Sequence, residues 1–305
     1  MNATNTSVEV AVIGGSNAGL SAALALGRSR RNVALIDNSS PRNAPASHAH
    51  NVYTRDGTPP AELIRIGREQ LEPYDVRFFD TLVTQISGSE GEFRLELSNG
   101  ETLGAERLLL ATGVADDLSG VPGLRELWGK SIYACPYCHG WEVRDKPLAV
   151  LGDGNEGYGY ARLIQNWSRD LVLITDSQNT TLSDEQLGDL QARKIKVLEA
   201  SVTEYEAHNG ELVALHLSSG QRILRQAVFM RAPLSLRGNL HQQLGCELSS
   251  DGTQVVADEM GQTSVPGVYA AGDMVSPMHA VIVAAASGTK AAAMLNHEFI
   301  INLEC

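Results

Sequence analysis

The sequence predicts an α/β fold in which one unit of strands and helices is inserted into a second, similar unit. A strand, a glycine-rich turn, a helix, a second strand and an acidic residue follow one another near the N-terminus, and the same order returns near the middle of the chain. A further strand, turn and helix come near the C-terminus. The repeated order is typical of Rossmann-like dinucleotide-binding domains, which we expect here as two three-layer ββα domains.

The first copy begins with an apolar strand at residues 8–13, followed by a glycine-rich turn at 14–19 and an alanine- and leucine-rich helix. A second apolar strand, residues 33–36, ends at Asp37. An acidic residue about 20 positions beyond the glycines can accept a hydrogen bond from a ribose hydroxyl. Ser16 replaces the middle glycine, which a small side chain allows if the backbone still approaches a pyrophosphate at the helix N-terminus.

The second copy has a strand at residues 147–151, a turn containing Gly152, Gly154 and Gly157, a helix, and a second strand that ends near Asp176. The three glycines and this acid form a candidate second dinucleotide site. Both copies continue into strand-like hairpins.

The first copy carries extra residues between Asp37 and Val76, including the segment PRNAPASHAHN. An insertion rich in Pro, Asn and His beside a dinucleotide site is a candidate for cofactor or substrate contact. Near the C-terminus, a strand ending in Gly272 and Asp273 places a carboxylate beside whatever the first unit binds. We therefore expect a discontinuous first domain, residues 1–114 and 240–305, and an inserted domain, residues 115–239.

The composition excludes several classes of function. A net charge of −12 over 305 residues argues against a nucleic-acid or anionic-membrane surface. No apolar run approaches the roughly 20 residues that span a bilayer. The N-terminus lacks the basic start and apolar core of a secretory signal, so we expect a cytoplasmic protein. Four cysteines are too few for a secreted disulfide scaffold.

The segment YACPYCHG contains a short-range cysteine pair, Cys135 and Cys138. It is open to three interpretations: half of a zinc site, an inert pair of core cysteines, or a redox couple. We expect no metal, because no second Cys or His pair lies at ligand spacing. Pro136 suits the first turn of a helix, which would place Cys135 at a positive helix end that lowers its thiol pKa. His139 either transfers a proton or is only a hydrogen-bonded polar residue.

The remaining cysteines and two histidines have simpler interpretations. We expect Cys246 to be a small buried apolar side chain. Cys305 is either a relay thiol on the C-terminal tail or part of a frayed end. His48 and His50 are expected to be loop histidines rather than bases.

These motifs, together with Ala111-Thr112-Gly113 and Tyr269-Ala-Ala-Gly-Asp273, resemble the low-molecular-weight thioredoxin reductases over nearly the whole chain. The resemblance implies an FAD-dependent disulfide oxidoreductase that is a homodimer. FAD would bind the discontinuous domain, and the inserted nicotinamide-type domain would carry the CPYC motif. The resemblance also implies that Cys138 faces the flavin, that Cys135 exchanges with the substrate, and that His139 is the third catalytic residue.

The resemblance also implies two sets of cofactor-binding residues. The FAD set is Gly14, Ser16, Asn17, Ala18, Gly19, Asp37, Arg42, Asn43, Asn51, Ala111, Thr112, Gly113, Gly272, Asp273, His279, Ala280 and Val281. The candidate set for NADH or NADPH is Gly152, Gly154, Gly157 and Asp176.

Several residues depart from the thioredoxin reductases. That family has an Asp after the second cysteine, where this chain has His139, and Tyr158 and Tyr160 replace its usual Val and Glu after the second glycine turn. Members that use NADPH carry a His-Arg-Arg cluster after the second strand of the inserted domain, whereas no basic residue follows Thr175 here until Arg193. The segments CPYCHGWE and RNAP resemble the dithiol oxidases of gliotoxin- and holomycin-type natural products, and thioredoxin reductases without a working nicotinamide site.

The leading hypothesis is an enzyme that moves an electron pair between flavin, the Cys135/Cys138 couple and a thioredoxin-like protein disulfide, without efficient use of NADPH. An alternative is a flavin-dependent oxidase that closes a disulfide in a small-molecule dithiol with oxygen as acceptor. A rival from another class is a flavin redox sensor that does not cycle. NADPH, NADH and a non-nicotinamide donor all stay open, because Asp176 would repel a 2′-phosphate but suits the ribose hydroxyls of NADH.

Overall fold

The computed structural model describes residues 6–175 and 179–301, which form two compact units. Unit 1 comprises residues 6–44, 51–115 and 234–301, and unit 2 comprises residues 45–50 and the described part of 116–233. The chain returns to unit 1 at Leu234, whereas the sequence placed this return at residue 240. The end of the PRNAPASHAHN insertion, residues 45–50, packs with unit 2.

The strands and helices are numbered in chain order. The strands are β1 (Thr6–Ile13), β2 (Val33–Asp37), β3 (Val76–Asp80), β4 (Val83–Ser87), β5 (Phe93–Leu97), β6 (Thr102–Leu110), β7 (Val114–Asp116), β8 (Ile132–Tyr133), β9 (Leu148–Leu151), β10 (Leu171–Ile174), β11 (Lys196–Leu198), β12 (Val202–His208), β13 (Glu211–Leu217), β14 (Arg222–Leu224), β15 (Ala227–Phe229), β16 (Leu234–Leu236) and β17 (Val268–Ala270). The helices are α1 (Asn17–Arg28), α2 (Pro60–Glu69), α3 (Leu124–Leu127), α4 (Pro136–His139), α5 (Gly154–Ile164), α6 (Asp184–Ala192), α7 (Leu240–Leu244) and α8 (Val281–Ile301).

Unit 1 is built on a sheet of strand order β3-β2-β1-β6-β5-β4, with β17 also paired to β6. Strands β3, β2, β1, β6 and β17 are parallel, and β4 and β5 add antiparallel pairs. The carboxyl ends of the parallel strands therefore meet at one edge, which is where ligands bind in sheets of this type. Gly14, Asp37, Ala111 and the Gly272-Asp273 pair all stand at this edge.

Two cores cover the two faces of this sheet. On one face, Val10, Val12 and Leu109 pack with residues of α1 and α8. On the other face, Ala11 and Ile13 pack with side chains from the antiparallel strands and from the segment around β17. The alternation of β1 residues between the cores is the period of a strand buried on both sides. The result is the predicted three-layer arrangement.

Unit 2 contains a parallel sheet of order β11-β10-β9-β15-β8 and an antiparallel sheet of order β12-β13-β14. Strand β9 leads into the turn at Gly152, and β8 leads into Cys135 two residues after it ends. The dithiol and the second glycine turn therefore stand at the same edge of one sheet. None of the helices in residues 6–175 and 179–301 is both long enough and apolar enough to cross a membrane.

The crossing of α1 and α8 generates a stability prediction. A Cβ at Gly288 would lie 2.0 Å from the carbonyl oxygen of Ala18, so Gly288→Ala should destabilise unit 1 by about 2 kcal/mol through overpacking. The matched control is Gly188→Ala in α6, where the added Cβ meets no atom within 4 Å. This substitution should raise the free energy of unfolding by up to about 1 kcal/mol. Denaturant titration measures both, and an unchanged midpoint in Gly288→Ala would contradict the prediction.

Candidate active site

The first glycine turn holds the backbone of three segments of unit 1 in contact. Gly14 has a φ of +111°, in the region that favours glycine. A Cβ at Gly14 would lie 2.2 Å from the carbonyl oxygen of Ala111, and a Cβ at Gly19 would lie 1.7 Å from the carbonyl oxygen of Gly14. Only glycine allows this approach, which brings the N-terminus of α1 to the ends of β1 and β6.

Asp37 is fixed beside this turn by two backbone donors. The N–H of Gly15 donates to Oδ1 of Asp37 at 2.9 Å, and the N–H of Ser39 donates to Oδ2 at 3.0 Å. A Cβ at Gly15 would lie 2.7 Å from the Cβ of Asp37, so the acid and the turn are in direct contact. This carboxylate stands where the sequence placed the acceptor for a ribose hydroxyl.

Arg42 connects the insertion to the C-terminal part of unit 1. One guanidinium nitrogen, Nη1, donates to Oδ2 of Asp273 at 3.3 Å and lies 2.7 Å from Nδ1 of His279. An arginine at neutral pH has donors only, so Nδ1 of His279 must be the acceptor and Nε2 carries the proton of the neutral ring. The structure thus brings Arg42 together with two predicted FAD residues that lie 231 and 237 positions further along the chain.

The N-terminus of α1 fits the pyrophosphate of FAD. Ser16 is the N-cap, its side chain accepts no capping hydrogen bond, and the first turn contains no acidic residue. The positive end of the helix is therefore not occupied by a carboxylate of its own turn. The other predicted FAD residues take these places: Asn17, Ala18 and Gly19 in the first turn of α1, Thr112 and Gly113 after β6, Asn43 and Asn51 between β2 and α2, Gly272 after β17, and Ala280 and Val281 at the start of α8.

In unit 2 the dithiol stands at the start of a four-residue helix. Cys135 is the N-cap of α4, and Pro136 occupies its first position. The N–H groups of Cys138 and His139 each donate to the carbonyl oxygen of Cys135 at 3.3 Å. Both cysteine side chains are half-buried. A thiol at a helix N-terminus is favoured as thiolate, which is the reactive form in exchange.

His139 is held in an apolar setting. Its ring stacks on Tyr133 with centroids 4.4 Å apart and planes 14° apart. Both ring nitrogens are buried, and no hydrogen-bonding group in the described parts of the chain reaches either of them. Burial lowers the pKa of His139 to about 4, with Glu142 opposing the shift and His50 adding to it. The ring is therefore neutral at pH 7. Of the two roles that the sequence left open for His139, the hydrogen-bonded one has no partner among the described residues.

Two residues near His139 come from different segments of unit 2. His50, at the end of the insertion, has its Nε2 3.5 Å from Oε1 of Glu142. Because both residues act on the pKa of His139, the insertion contributes to the surroundings of the dithiol. The sequence had predicted substrate or cofactor contact for the insertion, without any signal for this pair.

Tyr160, which the sequence marked only as a departure from the family, bonds the residue before Cys135. Its hydroxyl donates to the carbonyl oxygen of Ala134, next to Cys135, at 2.7 Å, and the side chain is 5% exposed. Burial is the main cause that raises the pKa of Tyr160, and Cys135 adds to the shift. Tyr158 instead donates to Asp189 in α6. Both tyrosines lie in α5, which begins at Gly154 of the glycine turn.

Two aromatic side chains next to the dithiol are exposed. Tyr137 is 60% exposed and meets Trp167 edge-on, with centroids 5.6 Å apart. Trp141 is 66% exposed, and the guanidinium of Arg144 lies 3.9 Å from its ring centroid. Exposed aromatic side chains are typical of protein surfaces that bind a partner or an organic ligand.

The second glycine turn keeps its backbone contact but differs in charge. A Cβ at Gly157 would lie 2.3 Å from the carbonyl oxygen of Gly152, compared with 1.7 Å between a Cβ at Gly19 and the carbonyl oxygen of Gly14 in the first turn. Asp153, between Gly152 and Gly154, is the N-cap of α5 and accepts hydrogen bonds from Thr180 and Thr181. The second turn therefore carries a carboxylate where the first turn carries none. Asp176 lies outside the described residues.

The two remaining cysteines differ in what can be said of them. Cys246 is 8% exposed within the core of unit 1, as predicted, and burial is the main cause that raises its pKa. Cys305 lies outside the described residues. No group of three or more His, Cys, Asp or Glu in residues 6–175 and 179–301 is arranged to hold a metal ion.

The pKa of His139 predicts a pH effect on stability. Its folded pKa of about 4 lies below its ordinary value of 6.5, so the unfolded state binds the proton first as pH falls. Wild type should lose about 1 kcal/mol more than His139→Asn between pH 7.5 and 5.5. Urea titrations at both values measure this, with exposed His208→Asn as control. An equal loss in wild type and His139→Asn would contradict a buried, neutral His139.

Comparisons with known proteins agree with this geometry. The family model of pyridine nucleotide-disulphide oxidoreductases matches residues 8–288. Thioredoxin reductase tcpT of Claviceps purpurea is 32% identical over 98% of this chain and 97% of its own length. Among solved structures, TrxB from Bacillus anthracis has a TM-score of 0.90 at 35% identity, over 97% of this chain and 99% of its own. HlmI also has a TM-score of 0.90, at 37% identity, over 98% of this chain and 95% of its own.

The matches extend over both units and include the first glycine turn and the dithiol. They confirm the family and the enzyme class that the sequence predicted. The chain belongs to the pyridine nucleotide-disulphide oxidoreductases, as an FAD-dependent disulfide oxidoreductase resembling the low-molecular-weight thioredoxin reductases.

Proposed function

We propose that the protein moves an electron pair between FAD, the Cys135/Cys138 couple and the disulfide of a thioredoxin-like protein, without efficient use of NADPH. The observation that carries this proposal is the position of the couple, with Cys135 at the N-cap of α4 beside two exposed aromatic side chains. The name of the Claviceps purpurea relative, thioredoxin reductase, supports this class of partner. A cytoplasmic homodimer is part of the same proposal.

FAD would be held by residues of unit 1 and would supply a two-electron store when bound. The first turn of α1 would hold the pyrophosphate, Asp37 would accept a hydrogen bond from the adenosine ribose, and Asp273 would bind the ribityl chain. The guanidinium of Arg42 donates to both Asp273 and His279 and so holds their side chains in place.

In the reducing direction, the thiolate of Cys135 attacks one sulfur of the partner's disulfide. A Cys135–partner disulfide forms, and the partner's second sulfur leaves as a thiolate that takes up a proton. Cys138 then attacks Cys135, closing the Cys135–Cys138 disulfide and releasing the partner's remaining sulfur. The partner gains two electrons and two protons, and the couple loses them. In the oxidising direction the same steps run backwards.

His139 is proposed as the base that serves this exchange. Its ring is neutral at pH 7, so one nitrogen is open to a proton released when a thiol becomes a thiolate. Stacking on Tyr133 fixes the plane of the ring. The apolar setting makes the protonated ring short-lived, which suits a group that passes a proton on.

A second candidate function is the oxidation of a small-molecule dithiol with oxygen as acceptor. The exposed Tyr137 and Trp141 favour it, because flat aromatic faces bind organic ring compounds as readily as protein surfaces. Electrons would then travel from the substrate dithiol through the couple to FAD and to oxygen, giving a closed disulfide and hydrogen peroxide. A redox sensor that does not cycle remains the rival from another class.

The electron source separates these functions in one experiment. Oxidised, FAD-loaded protein is mixed anaerobically with NADPH, NADH, a reduced electron-transfer protein, or dithiothreitol, and flavin absorbance is followed by stopped flow. We expect slow or no reduction by NADPH, and fast reduction by a donor that is not a nicotinamide.

The outcomes then divide the candidates. Saturable, fast reduction by micromolar NADPH would overturn the proposal. Reduction by the dithiol, followed by repeated turnover in oxygen, would favour the oxidase. A single reduction per site without turnover under any donor would indicate a sensor.

Cysteine variants test the assignment of the two sulfurs. In Cys138→Ser, Cys135 can still attack a partner disulfide but cannot be resolved, so a mixed disulfide should accumulate on Cys135. In Cys135→Ser no such species should form, and turnover should be lost in both variants. Mass spectrometry after incubation with oxidised thioredoxin measures this, with buried Cys246→Ser as the control that keeps exchange. Trapping in Cys135→Ser alone would mean that the roles are reversed.

A further inference from the structure

The two glycine turns share a close backbone contact, but the helices that follow them differ in charge at their N-termini. In unit 1, Ser16 is the N-cap of α1 and the first turn has no acid. In unit 2, the N-cap of α5 is Asp153, and Glu156 lies in the first turn. A helix N-terminus attracts an anion, and at α5 two carboxylates of the chain lie at that end, although the side chain of Asp153 makes no capping hydrogen bond to the helix.

The carboxylate of Asp153 is saturated by hydrogen bonds from one segment of unit 2. The hydroxyl of Thr180 donates to Oδ1 at 2.6 Å, and the N–H and the hydroxyl of Thr181 each donate to Oδ2 at 2.9 Å. Burial acts to raise the pKa of Asp153, yet these bonds and one from the N–H of Gly154 hold it below its ordinary value. Asp153 is therefore charged at neutral pH.

The same segment covers the turn sterically. A Cβ at Gly154 would lie 2.8 Å from Oγ1 of Thr181, so the threonine lies directly over the glycine that a pyrophosphate must approach. Further along, Nε2 of Gln186 donates to Oδ1 of Asn155 at 2.7 Å, while Gln186 and Ser183 form the capping box of α6. The segment is thus fastened to α5 on both sides of Thr181.

We propose that the carboxylate of Asp153, held beside the second glycine turn by Thr180 and Thr181, excludes the pyrophosphate of a nicotinamide dinucleotide through its charge and through the cover that Thr181 gives to Gly154. A dinucleotide would have to displace the threonines and place its two phosphate charges beside a carboxylate that cannot leave. Asp153 is thus a residue that determines cofactor specificity. This inference deepens the proposed function, because it gives a physical cause for the lack of efficient NADPH use.

The test measures binding rather than turnover. ADP-ribose is the probe, because it carries the pyrophosphate without the 2′-phosphate or the nicotinamide. FAD-loaded protein is used so that the dinucleotide site at the first glycine turn is already occupied. Calorimetric titration is performed on wild type, Asp153→Gly and Asp153→Asn. The Asn variant keeps the volume and removes the charge, and the Gly variant removes both. Asp189→Asn in α6 is the control for loss of one negative charge elsewhere in unit 2.

We expect wild type and Asp189→Asn to show no ADP-ribose binding above the detection limit of the titration. Asp153→Gly should bind ADP-ribose with an affinity about tenfold or more above that limit, and Asp153→Asn should lie between them. Circular dichroism and FAD content establish that each variant is folded. If Asp153→Gly fails to fold, Thr181→Ala, which removes the overlying hydroxyl, takes its place beside Asp153→Asn.

Two outcomes would overturn the inference. Wild type that binds ADP-ribose as tightly as the variants would show an open turn. Folded variants that still bind no ADP-ribose would show that something other than Asp153 closes it. Neither outcome depends on the electron source, so fast flavin reduction of wild type by NADPH is the separate result that would remove the proposed function.

Discussion

The backbone contact between Gly14, Gly19 and the loop after β6 is the constraint on which unit 1 depends. It brings the start of α1 within reach of a cofactor, and any side chain at either glycine would separate the helix from the sheet. A second contact of the same kind, Gly288 against Ala18, lets α8 cross α1 closely. Because α8 follows the Gly272-Asp273 turn, this crossing fixes where the carboxylate of Asp273 lies relative to the first glycine turn.

Unit 2 repeats this backbone solution at Gly152 and Gly157 and attaches different chemistry to it. The sheet edge that carries the second turn also carries the dithiol, because β8 and β9 both pair with β15. Tyr160 joins the two features, since it belongs to the helix after the turn and bonds the residue before Cys135. Helix α5 therefore serves as a support for the redox couple whether or not its N-terminus binds a phosphate.

The features that the sequence predicted are those whose chemistry lies in a short stretch of chain. The glycine turns, the acid ending β2, the Cys-x-x-Cys pair and the proline that starts α4 each depend on local spacing, and each stands where the pattern placed it. The two-domain plan followed from the repeat of one local pattern. The boundary at Leu234 was harder to predict from the sequence, because it depends on which side chains the linker packs against.

The features that the sequence could not predict depend on contacts between distant residues. Asp153 was visible in the turn, but the threonines that hold its carboxylate are 27 and 28 positions away. His50 meets Glu142 only because the end of the insertion packs with unit 2. The low pKa of His139 likewise follows from burial against Tyr133 and not from any spacing.

The two unusual groups of unit 2 have opposite relations to their surroundings. Asp153 keeps a charge that hydrogen bonds from the chain fully satisfy, whereas His139 has no hydrogen-bonding partner among the described residues and stays neutral. A buried polar group without partners costs stability, and a catalytic role is one reason why a protein keeps such a group. In our proposal that role is proton transfer at the couple. The satisfied carboxylate contributes stability and closes a site, while the unsatisfied imidazole gives up stability and leaves a base in place. In our proposals, unit 2 exchanges electrons with thiols at the couple and excludes a dinucleotide from its glycine turn.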